Sequence, residues 1–347
     1  MIKLQKQIEI VRSNVDGLSS LSQTSADAIK ALLDKHYIEV GISVINNIED
    51  LDKLVDSKPD LVFLGMKFLP VDITLGKHDA NKIWISDYLD EANIAYTGST
   101  SRSAAFDLDK IVAKRQIQAF GIQTPPFFIA SPITHANSSD ITLEYPLFIK
   151  PNKMGGGQGI DDFSVVHNFY QFKTKVQSIH DLYQSLSLVE SYLSGREFSV
   201  GILNDGFSGN YLAMPIELLA DINLNGDRML SQDVKNANSE VVTTVEDVLL
   251  KAEICLLALR AFKAFGARDY GRIDIRLNTD GIPQFLEANL IPSLIEGYGS
   301  FPKACLMNIG MDYETMILRI VDLGLSRSVE IESEKSTIAE TDLLVTA

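Results

Sequence analysis

The sequence predicts a mixed architecture, an α/β unit on a parallel sheet followed by an α+β region of antiparallel strands. Three observations predict it. Strand and helix patterns alternate through the first hundred residues, and the character changes at Thr97-Gly98-Ser99. Beyond Glu197, long strands follow one another around a single long helix. A chain of 347 residues also exceeds what one hydrophobic core usually serves, so two or three domains are expected.

Ile8-Glu9-Ile10-Val11 reads as a strand, and a polar loop runs from Arg12 to Gln23. Residues 26–37 predict a helix with Ala28, Ile29, Leu32 and Leu33 on its apolar face; 38–45 predict a strand, 48–55 a helix and 60–64 a buried strand. This βαβαβ order implies a parallel sheet covered by helices. A helix over 81–92 leads into a short strand at 94–96. Another helix is expected over 108–120, stopped by Gly121 and by Thr124-Pro125-Pro126, since proline lacks the amide a helix needs. Strands are expected at 147–150, 163–166, 188–191, 198–203, 211–216, 271–277 and 283–288. A long helix is expected over 245–265. Its apolar residues Val245, Leu249, Ala252, Leu256, Leu259 and Phe262 step by three and four, with Thr244 and Asp247 as a capping box. A last helix covers 313–325, and the acidic, Ser/Thr-rich tail beyond it is expected to be disordered.

The net charge of −15 argues against nucleic acid, which needs a surplus of Lys and Arg. It leaves room for a nucleotide, which needs only a few well-placed cations and a metal ion. The longest apolar run, 61–71, contains Lys67 and falls short of the ~18 residues that suggest a membrane span. The polar start, Met1 to Glu9, is unlike a secretion signal. Cys255 and Cys305 are too few for a disulfide framework, and Cys255 falls in an apolar helical pattern that suits packing. Together these point to the cytosol, with no membrane and no nucleic-acid partner.

Two segments carry chemistry. In Tyr145-Pro-Leu-Phe-Ile-Lys150-Pro-Asn-Lys-Met-Gly155-Gly156-Gly157-Gln158-Gly159 a strand delivers a lysine and a glycine loop follows. Glycines let backbone N–H groups approach phosphate oxygens. The spacing fits neither a Walker A loop nor a dinucleotide fingerprint; alone, it is also compatible with a hairpin turn. The second segment is Gly271-Arg272-Ile-Asp274-Ile-Arg276, followed by Phe285-Leu-Glu287-Ala-Asn289. Alternation puts Arg272, Asp274 and Arg276 on one strand face, and Glu287 with Asn289 on one face of the next. The Asn278-Thr-Asp-Gly281 turn makes these two strands a hairpin that brings Asp274 beside Glu287 and Asn289. Such oxygen ligands suit Mg²⁺; the alternative is a polar outer face of an amphipathic sheet.

From Tyr96 to Leu325 the chain resembles the ATP-grasp ligases, and within them the D-alanine–D-alanine ligases. The matching segments include Tyr96-Thr-Gly-Ser99, Asp109-Lys110, Thr124-Pro-Pro126, Ile149-Lys-Pro151 and Val189-Glu190. Further on come Tyr192-Leu-Ser-Gly195-Arg-Glu-Phe198, Tyr270-Gly-Arg-Ile-Asp274 and Leu286-Glu-Ala-Asn289. The resemblance implies an ATP-grasp fold with an N-terminal parallel α/β (pre-ATP-grasp) domain. It divides the chain into 1–98 (N-terminal substrate domain), 99–192 (central ATP-grasp subdomain), 193–326 (C-terminal subdomain with the metal site) and 327–347 (tail). It implies ATP and one or two Mg²⁺ ions, with Mn²⁺ a substitute, and an acyl phosphate attacked by an amine. Lys110 and Lys150 would hold the phosphates, and Gly155, Gly156 and Gly157 would fold over them. Glu190 and the backbone of Leu193 would meet adenine, and Glu197 the ribose. Lys235 would sit on a mobile loop over the γ-phosphate. Asp274, Glu287 and Asn289 would bind metal, and Arg272 would stabilise the oxyanion. Family members often form homodimers through the N-terminal domain.

The departures concern the amino-acid substrates. Asp16 falls near the place of the family's amine-binding glutamate. The His-Gly and Gly-Glu-Asp-Gly signatures give way to Met66-Lys-Phe-Leu-Pro-Val-Asp72, the loop serine to Gly156, and the tyrosine after the mobile-loop lysine to Asn236. Ser293 and Tyr298 stand where the acceptor carboxylate would bind. The expectation is intact activation machinery with a rebuilt pocket, taking amino acids or small peptides as substrates. The alternatives are an authentic D-alanine–D-alanine ligase of cell-wall synthesis and a non-catalytic ATP-binding homologue. A dehydrogenase is disfavoured because the loop after Val11 carries only Gly17.

Overall fold

The computed structural model of the protein describes residues 3–219, 226 and 240–327. Lys235 and the acidic tail from 328 onward lie outside the described residues. Strand β1 (Leu4–Arg12) lies between β2 (Tyr37–Val44) and β3 (Leu61–Leu64) and pairs with both in parallel. Ile8, Ile10 and Val11 are fully buried, as expected of a strand covered on both faces. Helix α1 (Gln23–Leu33) begins at Ser22, whose hydroxyl accepts the Ser25 N–H at 3.1 Å. Helix α2 (Ile48–Asp56) begins at Asn47, whose side chain accepts the Asp50 N–H at 3.0 Å. Each cap satisfies an amide that the helix itself leaves unpaired.

The helix expected over 81–92 is shorter. Strand β4 (Phe68–Pro70) pairs antiparallel with β5 (Lys82–Trp84), and α3 (Ile85–Glu91) starts only after it. Phe68 stands opposite Trp84 with ring centroids 5.9 Å apart, a cross-strand contact that outweighs the helical pattern. The strand expected at 94–96 reduces to one bridge between Val62 and Tyr96. The helix expected over 108–120 is α5 (Lys110–Ala119), and an unexpected helix, α4 (Ser101–Leu108), precedes it. They part at Asp109, which is extended (φ −127°) and accepts the N–H groups of Ile111 and Val112 at 3.1 Å each. That break sets Lys110 at the start of α5.

A second sheet contains β6 (Phe127–Ala130), β7 (Leu147–Pro151), β8 (Val165–Val166) and β9 (Ser187–Ser191) in the order β6-β9-β7-β8. Its strands are antiparallel, and an unexpected helix, α6 (Phe169–Tyr183), packs on it through Phe172, Val176 and Ile179. β8 is shorter than the expected 163–166 because Asp161 and Ser164 close a turn, with the Ser164 N–H on the Asp161 carbonyl at 2.9 Å.

The third sheet has the order β12-β11-β10-β13-β14, from β10 (Glu197–Asn204), β11 (Tyr211–Leu219), β12 (Val241–Thr244), β13 (Tyr270–Leu277) and β14 (Pro283–Asn289). One face packs on α7 (Val248–Ala264). The other packs on α8 (Ser300–Ile309), which the sequence did not announce, and on α9 over 313–327. Ile8, Ile10 and Phe63 of the parallel sheet share that second core with Leu203, Tyr270, Phe301 and Ile317.

The apolar face expected of the long helix differs from the buried one. Leu249 is 78% exposed and Leu256 60%, whereas Ile254, Ala258, Ala261 and Phe262 are buried. The helix is apolar on most sides, so periodicity selects no single face. Ala258 and Ala261 turn toward the sheet because small residues permit close approach. The cap differs as well: Asp247 alone accepts the Leu249 and Leu250 N–H groups (3.0 and 3.1 Å), while Thr244 bonds Glu246.

Candidate active site

A cavity of about 300 Å³ opens between the second and third sheets. Its floor on one side is a buried ion triad. β7 and β9 pair with Phe148 opposite Glu190 and Lys150 opposite Leu188, so Lys150 reaches Glu190 diagonally. Lys150 Nζ lies 2.9 Å from Glu190 Oε2, and Lys114 Nζ contacts Glu190 Oε1. Lys114 also donates to Thr124 Oγ1 at 2.6 Å. All three charged side chains are shielded from solvent. One carboxylate between two ammonium groups leaves an excess positive charge in a region where desolvation penalises charge. Lys114 absorbs that penalty: burial pushes its pKa down to about 8 despite Glu190. For Lys150 burial acts the same way, but Glu190, Glu287 and Glu197 outweigh it and hold its pKa above the ordinary value. Burial would raise Glu190, yet the two lysines hold it below the usual carboxylate range.

The opposite wall is the β13–β14 hairpin. Asp274 pairs with Glu287 and Arg272 with Asn289, with a bulge after Asp274. Ser199 of β10 donates to Asp274 Oδ1 at 2.8 Å, and Arg272 Nη2 to Oδ2 at 3.0 Å. Lys110 Nζ lies 3.7 Å from Glu287 Oε2 and donates to the Met154 carbonyl in the glycine loop. Arg272 stays a cation: burial opposes this, but Asp274 and Glu287 raise its pKa. Asn289 Oδ1 is buried with no hydrogen-bond partner among the described residues. An unpaired buried acceptor costs roughly 1–3 kcal/mol unless something binds it. Two carboxylates on facing strands and an amide oxygen lacking a partner fit a hard cation. Among the described residues no group of three or more His, Cys, Asp and Glu is placed to hold a metal ion without further ligands.

The glycine loop closes the third side. Gly155 and Gly156 line the cavity, and a Cβ on either would meet nothing within 4 Å. Gly156, Gly157 and Gly159 have φ of +65°, +82° and +76°, which side chains disfavour. At Gly159 a Cβ would stand 2.5 Å from Pro151 Cγ. Lys77, from the N-terminal part of the chain, donates to Gln158 in this loop.

Of the residues singled out from sequence, Lys110, Lys150, Gly155, Gly156, Glu190, Leu193, Glu197, Arg272, Asp274, Glu287, Asn289, Ser293 and Tyr298 line this one cavity. Gly157, which is buried, and Asp16, which is exposed, are not part of the lining. The Glu190 carboxylate, at the edge of that lining, is held by Lys114 and Lys150. Sequence reasoning missed Lys114, Asp107 and Glu240. For Lys114 the signal was its spacing, four residues after Lys110 and so on the same helix face. Asp107 lines the cavity with Oδ2 held by Lys67 (2.8 Å) and the Leu290 N–H (2.6 Å); no local pattern marks it.

Four cationic side chains, Lys110, Lys150, Arg272 and Arg276, and a set of hard oxygen ligands thus face one space, an arrangement for a polyphosphate and a divalent cation. A family model described as the D-ala D-ala ligase C-terminus matches residues 117–322. The chain is 25% identical over 306 residues to a D-alanine–D-alanine ligase of Hydrogenovibrio crunogenus, covering 87% of this chain and 89% of the relative. Its fold is similar to that of the Bacillus anthracis D-alanine–D-alanine ligase complexed with ATP. There the TM-score is 0.73 at 20% identity, over 94% of this chain and 99% of that one. A D-Ala:D-Ser ligase of Enterococcus faecalis is similar with a TM-score of 0.66 at 18% identity, over 92% of this chain and 99% of that one.

Proposed function

The chain belongs to the D-alanine–D-alanine ligase family, and from that premise we propose that it joins a carboxylate to an amine while converting ATP to ADP and phosphate. The observation that carries the reading is the convergence of Lys110, Lys150 and Arg272 with Asp274, Glu287 and Asn289 on one cavity. Lys110 and Lys150 hold the triphosphate, and the loop at Gly155–Gly157 lies over it. The Leu193 backbone meets adenine and Glu197 the ribose. Asp274, Glu287 and Asn289 hold Mg²⁺, which when bound neutralises charge on the phosphoryl oxygens. Lys235 is assigned to the γ-phosphate on the resemblance alone.

The γ-phosphoryl group passes to a substrate carboxylate oxygen, giving an acyl phosphate and ADP. The amine then attacks the carbonyl carbon, phosphate leaves and the amine's proton goes to solvent. Arg272 stabilises the oxyanion of the tetrahedral intermediate, a task for a fixed positive charge in a desolvated site. Phosphoryl transfer is largely positioning plus neutralisation, which the two lysines supply. The glycine loop excludes water, which would otherwise hydrolyse the acyl phosphate.

The substrates are amino acids or small peptides, and the pocket departs from the family's pattern where they bind. Asp16 is not part of the cavity lining, while Ser293 and Tyr298 are. A site built to hydrogen-bond one substrate discriminates strongly against analogues, so a pair other than two D-alanines is favoured. The test is ADP release from Mg²⁺-ATP with D- and L-amino acids, singly and in pairs, with products identified by mass spectrometry. Release that requires one carboxylate–amine pair supports the ligase. Nucleotide binding without ADP release under any pair refutes it in favour of a non-catalytic homologue.

A further inference from the structure

Arg276 shares its strand face with Arg272 and Asp274, yet none of the proposed chemistry uses it. Four residues along a strand place it roughly 13 Å from Arg272, away from the phosphoryl end of the cavity. There it lies directly opposite Glu197 across the β10–β13 pairing, and both line the cavity with Tyr192 and Leu193. Arg276 is 6% exposed. Its Nη1 is 3.3 Å from Glu197 Oε2, its Nε donates to the Gly195 carbonyl at 3.1 Å, and its Nη2 donates to Tyr192 Oη at 3.5 Å. The guanidinium carbon stands 5.3 Å from the centre of the Tyr192 ring.

We infer that Arg276 is a positioning residue that sets the ribose specificity of the nucleotide site by clamping the Glu197 carboxylate against the sugar hydroxyls. The inference rests on the ligase reading, which puts the nucleoside at this end, and goes beyond it by naming what orients Glu197. A glutamate is a flexible chain, and one held in its bound rotamer loses less freedom when a hydroxyl donates to it. The fork of an arginine meets a carboxylate, a carbonyl and a ring face at once, which a lysine's point charge does not. Arg276 touches no reacting atom; it acts through Glu197.

The experiment is calorimetric titration of the full chain with ATP and with 2′-deoxy-ATP, in Mg²⁺. A hydrogen bond to a charged acceptor corresponds to about tenfold or more in binding. The wild type should therefore prefer ATP by about that factor, and Arg276→Met should bring ATP down toward the level of 2′-deoxy-ATP. Arg276→Lys, which keeps the charge, should recover only part of the preference, with thermal unfolding confirming that both variants fold. A variant that fails to fold is replaced by Glu197→Gln, which removes the clamped charge and should collapse the same ratio. Equal weakening of both nucleotides, or an unchanged ratio in Arg276→Met, overturns the inference while leaving the ligase intact. Failure of the wild type to bind ATP overturns both.

Discussion

Replacing Lys114 with methionine deletes one cation of the buried triad while keeping most of its volume. Removing one partner of a buried ion pair costs about 3–5 kcal/mol, because the remaining charge loses its compensation. Here Glu190 keeps Lys150 at 2.9 Å, and the repulsion between the two lysines disappears. Thr124 also retains its bond to the Phe285 carbonyl at 2.9 Å. No charge is left uncompensated, so the loss should fall well below that range, about 1 kcal/mol, chiefly the hydrogen bond to Thr124. With an unfolding entropy near 2.1 cal/mol/K per residue, 347 residues unfolding together convert this into about 1 °C of melting temperature. The pH dependence is more diagnostic. Burial holds Lys114 at about 8 in the folded protein, below its ordinary 10.5. Between these values the unfolded chain binds more protons, so Lys114 makes wild-type stability rise with pH across that window. Lys114→Met should lack this rise. Denaturant unfolding of both proteins from pH 7 to 10 measures it. Parallel stability curves with equal midpoints would refute the triad as the seat of this energy.

Other predictions concern the metal and the glycine loop. Ser199→Ala removes the hydroxyl that donates to Asp274 Oδ1 at 2.8 Å. With Asp274 as the proposed Mg²⁺ ligand, it should raise the Mg²⁺ concentration for half-maximal ADP release by roughly 10–100-fold, as for groups that orient metal ligands; no change would count against that proposal. Gly156→Ala and Gly159→Ala both force a side chain into positive φ, which costs roughly 1–2 kcal/mol. Only Gly159→Ala also drives a methyl to 2.5 Å from Pro151 Cγ, so it should unfold at clearly lower denaturant. Equal midpoints would count against the loop's packing as described.

Much of the fold could be foreseen because its signals are local. The βαβαβ order rests on runs of apolar residues and on turns, and the parallel pairing of β1 with β2 and β3 follows once those runs must be covered on both sides. The turn at Asn278–Gly281 sets the register from Leu277 opposite Pro283 to Ile275 opposite Phe285, and a bulge at Leu286 then shifts it so that Asp274 meets Glu287. The β4–β5 pair and the break at Asp109 were hidden. Each depends on a partner elsewhere, Trp84 on Phe68 and Asp109 in part on Asn152.

Residue order alone specified which side chains alternate onto one strand face, and where glycine frees the backbone to curl around an anion. Burial and charge pairing between distant segments belong to the folded molecule. The sequence could not say that Lys114 rather than solvent would meet Glu190, that α7 would turn Ala258 and not Leu256 inward, or that Arg276 would lie against Glu197. Those outcomes depend on desolvation, which exists only once the sheets have closed over the cavity and water has left.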